Sequence, residues 1–212
     1  MKKVIITLGF IIAVLASKAN DATYFETMAK SIATVYTSKA PEEIQQAINT
    51  LDRVGSAEKT KWEPYYYASF GYLMMAVSEK NGAKKDLLLD QATAEIDKAS
   101  AILLNDSEIV AIEGFIYMIR VSIDPAARGQ KYSGLAIQSF EKALKLNPEN
   151  PRALALMAQM QFGLARFFNS GTTEACATTT KAVEKYVTYT SPNPLAPVWG
   201  KEMAEELVQQ CK

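Results

Sequence analysis

Two cysteines, no histidine and 23 acidic side chains set the chemistry open to this chain. Without histidine there is no Ser-His-Asp or Cys-His constellation and no imidazole ligand for a metal. Paired carboxylates can run a hydrolysis, but no pair stands out. Glu108 and Glu113 are five apart and face different sides of a helix, while Glu42 with Glu43 and Glu205 with Glu206 read as solvated helix faces. Gly163 and Gly171 stand alone, so no glycine-rich phosphate loop is present. No catalytic residue, cofactor or metal is therefore expected, and the chain reads as a non-enzyme.

The cysteines are the reactive groups that have a partner. Cys176 and Cys211 flank the segment SPNPLAP, whose prolines Pro192, Pro194 and Pro197 break the helix and force a turn. The midpoint between the two cysteines falls inside that turn. A hairpin of helices over 173–190 and 196–211 would bring both thiols to its far end, and the spacing predicts a disulfide. The pair is not Cys-x-x-Cys and Cys176 has no basic neighbour, which argues for a structural bridge rather than a redox site.

A disulfide implies an oxidising compartment, and the N-terminus agrees. Lys2 and Lys3 precede an uncharged apolar run from Val4 to Leu15, and the small residues Ser17 and Ala19 suit a signal-peptidase site. Residues 1–19 are read as a cleavable signal and 20–212 as the mature domain, exported to the periplasm without stable membrane insertion. Loss of Lys2, Lys3 and Lys18 leaves 20 basic against 23 acidic side chains, a net charge of −3. No basic excess marks a nucleic-acid binder.

The elements that must position these groups are helical. Apolar residues recur at spacings of three and four, without sustained alternation. The pattern predicts helices over 23–38, 41–57, 61–80, 84–104, 107–123, 129–146, 151–169, 173–190 and 196–211. Pro41 followed by Glu42 and Glu43, and Asn150 before Pro151, are helix-start signals. The helices also repeat. Gly71 and Gly114 are 43 residues apart, and Gly114 and Ala158 are 44 apart. Ala92 with Ala136, Ile96 with Phe140, and Ala99 with Ala143 are each 44 apart. Small residues recur where two helices must approach and bulky ones where they interlock, the mark of an α-solenoid.

Ala136, Phe140, Ala143 and Pro148 resemble the second-helix half of the tetratricopeptide repeat, Ala-x3-Phe-x2-Ala followed by a proline. The text FEKALKLNPENPRA carries the likeness most clearly, Ala92, Ile96 and Ala99 give a weaker copy, and Gly71 and Gly114 sit where the first helix carries its glycine. The resemblance, of a periplasmic bacterial type, covers roughly 41–190. It implies an all-α solenoid of about three helix pairs, with a flanking N-terminal helix and a C-terminal capping helix. Two departures stand out. The period exceeds the family's 34 residues, with the excess expected between paired helices near 81–88 and 124–133, and the early tryptophan is replaced by Tyr67, Val110 and Leu154.

The resemblance further implies a concave groove lined by the first helix of each pair. Its expected partner-binding residues are Tyr65, Tyr72 and Met75, then Phe115 and Met118, then Arg152, Gln159 and Phe162. An aromatic, Met-rich lining suits an apolar protein or peptide partner. The same stripe is equally readable as core, covered by one of the chain's own terminal helices, and the amphipathic segment 24–36 is one candidate to fill it. Trp62 and Trp199 read as seals of helix junctions. The leading expectation is an exported adaptor that binds another protein. A periplasmic small-molecule carrier or transporter accessory, or a structural subunit that buries the groove in its own oligomer, remain the alternatives.

Overall fold

The structure, a computed structural model, describes residues 22–211. The expected signal segment lies outside them. Among the described residues there are nine α-helices and no strand. They are α1 (22–37), α2 (Pro41–Ala57), α3 (Glu63–Ser78), α4 (Gly82–Ile102), α5 (Ser107–Ile123), α6 (Pro125–Leu146), α7 (Pro151–Phe168), α8 (Thr173–Thr188) and α9 (Lys201–Val208). A single 3-10 turn, Gln209–Cys211, follows. The all-α solenoid expected from the repeat spacing is the fold observed.

Helices α3 and α4, α5 and α6, and α7 and α8 pack as consecutive pairs, and α5 also touches α3 and α7. The recurring small residues explain these contacts. A Cβ on Gly114 would collide with the Phe140 ring across the α5–α6 pair, and one on Gly71 would lie 2.9 Å from Ile48 of α2. Ala92, Ala99, Ala136 and Ala143 are fully buried, as are Ile96 and Phe140.

Side-chain caps mark the helix starts. The Asn81 amide oxygen accepts from the backbone N–H of Lys84, and Asp106 accepts from those of Glu108 and Ile109. Asp124 accepts from Ala127, and Asn150 from Arg152 and Ala153. Each satisfies donors the first helical turn leaves unpaired.

The residues in excess of the family repeat are helical rather than interhelical. They are the opening turns of α4 and α6, which run 21 and 22 residues. Pro125 in the first turn, after the Asp124 cap, starts α6 four residues before Gly129. The last helix is shorter than expected, because residues 196–200 belong to a non-helical segment that continues from α8.

The cysteine pairing appears as expected: Cys176 and Cys211 form a disulfide with Cα atoms 5.6 Å apart. It ties the 3-10 turn after α9 back to α8.

Candidate functional site

The expected binding face, along α3, α5 and α7, is occupied by the chain itself. After α8 the prolines keep the backbone out of a helix, with one turn closed from Ala196 N–H to the Asn193 carbonyl, and the strap 189–200 crosses all three helices. Tyr67 donates its hydroxyl to the Leu195 carbonyl at 2.8 Å, and Trp199 Nε1 donates to the Tyr66 hydroxyl at 3.0 Å. Tyr186 donates to the Trp199 carbonyl at 3.2 Å, and Asn193 Nδ2 to Glu63 Oε1 at 3.0 Å. The Trp199 ring stacks on Phe70 at 4.8 Å and on Phe115 at 6.0 Å. From α1, Tyr36 packs edge-on against Tyr67 and Phe70. Burial raises the Tyr66 and Tyr67 hydroxyls well above their ordinary range, so both remain neutral hydrogen-bonding groups. Gly200, at φ +97°, turns the strap into α9; a Cβ there would be strained and would strike the Tyr186 hydroxyl.

Beneath the strap lies a buried ion pair. Arg152 is fully buried and donates from Nε and Nη2 to the two Glu108 oxygens, each at 2.6 Å. The Tyr189 ring covers its guanidinium at 4.2 Å. Burial pushes the Glu108 carboxyl up while the Arg152 hydrogen bonds pull it back. A pair so enclosed is unavailable to grip a peptide carboxylate.

The open site lies elsewhere, where the second half of α5, the first half of α6, the second half of α7 and the end of α9 meet. They enclose a cleft of about 1180 Å³, above the roughly 300–1,000 Å³ of ordinary small-molecule pockets. Helix α5 supplies Met118, Ile119 and Val121; α7 supplies Met160, Phe162, Leu164 and the pair Phe167–Phe168. Leu207 and Gln210 close one end. The α6 wall is built mainly from the opening turns that exceed the family repeat, Pro125, Ala126, Gly129, Gln130 and Ser133, and continues with Gly134 and Ile137. Three lining glycines keep it open, for a Cβ on Gly129, Gly134 or Gly163 meets nothing within 4 Å. Phe167 and Phe168 are 63% and 69% exposed and sit edge to face at 5.1 Å.

Of the residues expected to bind a partner, the cleft brings together Met118, Gln159 and Phe162. Phe115 lies under Trp199, and Arg152 is held by Glu108 and Tyr189. Tyr65 and Tyr72 look toward α2: Tyr65 fills the space over Gly55, and the Tyr72 hydroxyl meets Gln45 Nε2 at 3.3 Å. Met75 is half-buried against the core. Sequence reasoning passed over Gly129, Gly134, Arg166, Phe167 and Phe168. A signal exists for the phenylalanines alone, since two adjacent phenylalanines at a helix end cannot both face the core.

Among the described residues no helix is long and apolar enough to cross a membrane, and no cluster of three or more His, Cys, Asp or Glu side chains is placed to hold a metal ion. The paired helices and their recurrence define a helical-repeat protein of tetratricopeptide-like build. Its structure is similar to that of the HusA haemophore from Porphyromonas gingivalis, with a TM-score of 0.79 and 28% identity over 89% of this chain and 92% of that one. It also resembles a thermophilic TPR protein from Thermus thermophilus, with a TM-score of 0.58 and 15% identity over 94% of each chain, a likeness of fold alone. No protein-family model matches the chain. No curated protein matches it.

Proposed function

We propose that this protein is an exported, non-catalytic carrier of a haem-type ligand, held in the cleft between α5, α6 and α7. The observation that carries the reading is that large, mainly apolar cleft, in a chain whose fold follows a haemophore over most of both lengths. The cleft suits a flat macrocycle. Its apolar walls offer contact to ring faces, its glycines leave room for a plate, and Phe167 and Phe168 stand exposed at its edge. With no histidine in the chain and both cysteines tied to each other, neither of those side chains can hold the iron. Met118 and Met160 are the sulfur donors in the lining, and affinity rests mainly on contact with the ring. The disulfide and the signal-like N-terminus support export.

The alternative of a peptide-binding adaptor requires displacement of Trp199, Leu195 and Tyr189 from the face they cover. The carrier reading requires no such rearrangement.

The test is a haemin titration of the purified protein, followed by the Soret band. Saturable binding near one equivalent is expected. Replacing Phe167 and Phe168 together by alanine should weaken it about 5- to 150-fold, the equivalent of roughly 1–3 kcal/mol of lost aromatic contact. Because both rings are exposed, the melting temperature should stay unchanged. Absence of saturable binding by the wild type would overturn the proposal.

A further inference from the structure

Resting on the carrier reading, we infer that the cleft selects a carboxylate-bearing ligand and seats its acidic edge at the Arg166 end. Arg166 is the only charged side chain among the described residues lining the cleft. No acid lines it, so nothing there repels a carboxylate.

The guanidinium is also uncommitted. Arg120 and Arg128 are ion-paired with Asp86, and Arg120 also with Asp90, while Arg152 is paired with Glu108. Arg166 has no ion-pair partner among the described residues. The one hydrogen bond of its guanidinium among the described residues is a long contact of 3.5 Å from Nη2 to the Gln210 amide oxygen. A planar fork of donors beside an apolar slot matches the two oxygens of a carboxylate.

Arg166 stands in the last turn of α7, directly before Phe167 and Phe168. Arg166, Phe167 and Phe168 all line this end of the cleft, so a ring laid against one phenylalanine face and the edge of the other has the arginine at the same end for its acidic substituents. The opposite side of that end is fixed covalently. Gln210 adjoins Cys211, whose disulfide anchors the backbone of the 3-10 turn to α8. A receptor for an anionic edge differs from a solvated surface arginine in having an apolar wall beside it and a covalently anchored backbone segment facing it.

Fluorescence titration with protoporphyrin IX and with its dimethyl ester, at one ionic strength, tests the assignment. The wild type should bind the diacid about tenfold more tightly than the ester. Arg166→Gln should lower diacid affinity by about the same factor, leave ester affinity unchanged and abolish the preference. Arg166→Lys should restore part of it, because the charge returns without the fork. Since Arg166 is exposed, both variants should melt with the wild type. Equal wild-type affinity for diacid and ester, or undiminished diacid binding by Arg166→Gln, overturns the arginine assignment and leaves the carrier reading standing. Failure of the wild type to bind either probe overturns both.

Discussion

Replacing Gly134 by leucine should stabilise the protein and weaken its ligand binding, a pairing of signs few other positions allow. Gly134 lies inside α6 at negative φ, where glycine costs about 0.8–1.0 kcal/mol relative to alanine and leucine ranks close to alanine. A Cβ there meets nothing within 4 Å, so no packing penalty offsets the gain. The expected stabilisation is roughly 0.5–1 kcal/mol, or a rise of about 1–4 °C in melting temperature for a domain of this size. The added side chain projects into the slot that the glycine leaves open. Overfilling a close-fitting space costs about 1–3 kcal/mol, which would weaken haemin binding roughly 5- to 150-fold. Gly134→Ala should keep most of the stability gain with a smaller loss of binding. Gly114→Ala is the contrasting control: its Cβ would collide with Phe140, so it should destabilise by about 1–3 kcal/mol. Thermal melts and haemin titrations on the three variants decide the matter. Wild-type affinity in Gly134→Leu would show that the ligand lies elsewhere, and a lowered melting temperature would show that the glycine serves packing rather than access.

Removing the disulfide by Cys176→Ser with Cys211→Ser opens a loop of 35 residues and should cost up to about 4 kcal/mol by the loop-entropy relation. It should also lower ligand affinity through Leu207 and Gln210; an unchanged melt would dismiss the bridge as a fastening. Trp199→Ala should destabilise by about 3–5 kcal/mol, because the ring is stacked on Phe70 and Phe115 and bonded to Tyr66. Denaturant titration that gives less than about 1 kcal/mol would mean the strap is only loosely laid down. Burial, with Asp52 adding to it and Lys98 opposing, pushes the Glu95 carboxyl up to about 7. A carboxyl raised in the folded state binds its proton more tightly there than in the unfolded chain. Its contribution is therefore full below its ordinary value of 4.5 and is lost as pH rises through about 7. Unfolding at pH 5 and pH 8 should show a loss for the wild type that Glu95→Gln reduces; equal losses would clear Glu95 of the effect.

Much of the fold was legible because the helix ends carry local chemistry. The bounds expected for 41–57 and 107–123 coincide with α2 and α5, where proline and acidic residues or an aspartate cap mark the start. The start of α6 was legible too, in Asp124 and Pro125, but Gly129 and Gly134 dilute the apolar period and drew the expected boundary inward. Residues 196–200 lie in the strap for both local and tertiary reasons. Pro197 and Gly200 are local signals against helix there, and Trp199 adds the tertiary reason by covering Phe70 and Phe115. The cleft was the least legible feature. Its walls are defined by glycines and by helix length, and a missing side chain leaves no mark in a hydrophobic period. Met118, Gln159 and Phe162 were singled out for a different surface. They reach the cleft because residues on one helix face, followed toward its end, meet whatever neighbours that end.

The departure from the 34-residue repeat joins these observations. A standard pair of short helices stacks with its neighbours and leaves the face along the first helices for a ligand. Here the opening turns of α6 extend the second helix beyond that arrangement, and they form the wall facing α5 and α7. The extra turns thus place a cleft between repeats, while the strap occupies the face on which a peptide would lie. The strap also helps complete the cleft. It leads through Gly200 into α9, and α9 carries Leu207, with Gln210 just after it, to the cleft's end. The stack of Trp199 on Phe70 and Phe115 fixes where α9 begins, and the disulfide fixes where its final turn ends. A helix of eight residues has little stability of its own. Held at both ends by tertiary contacts, it becomes a rigid closure for the apolar site.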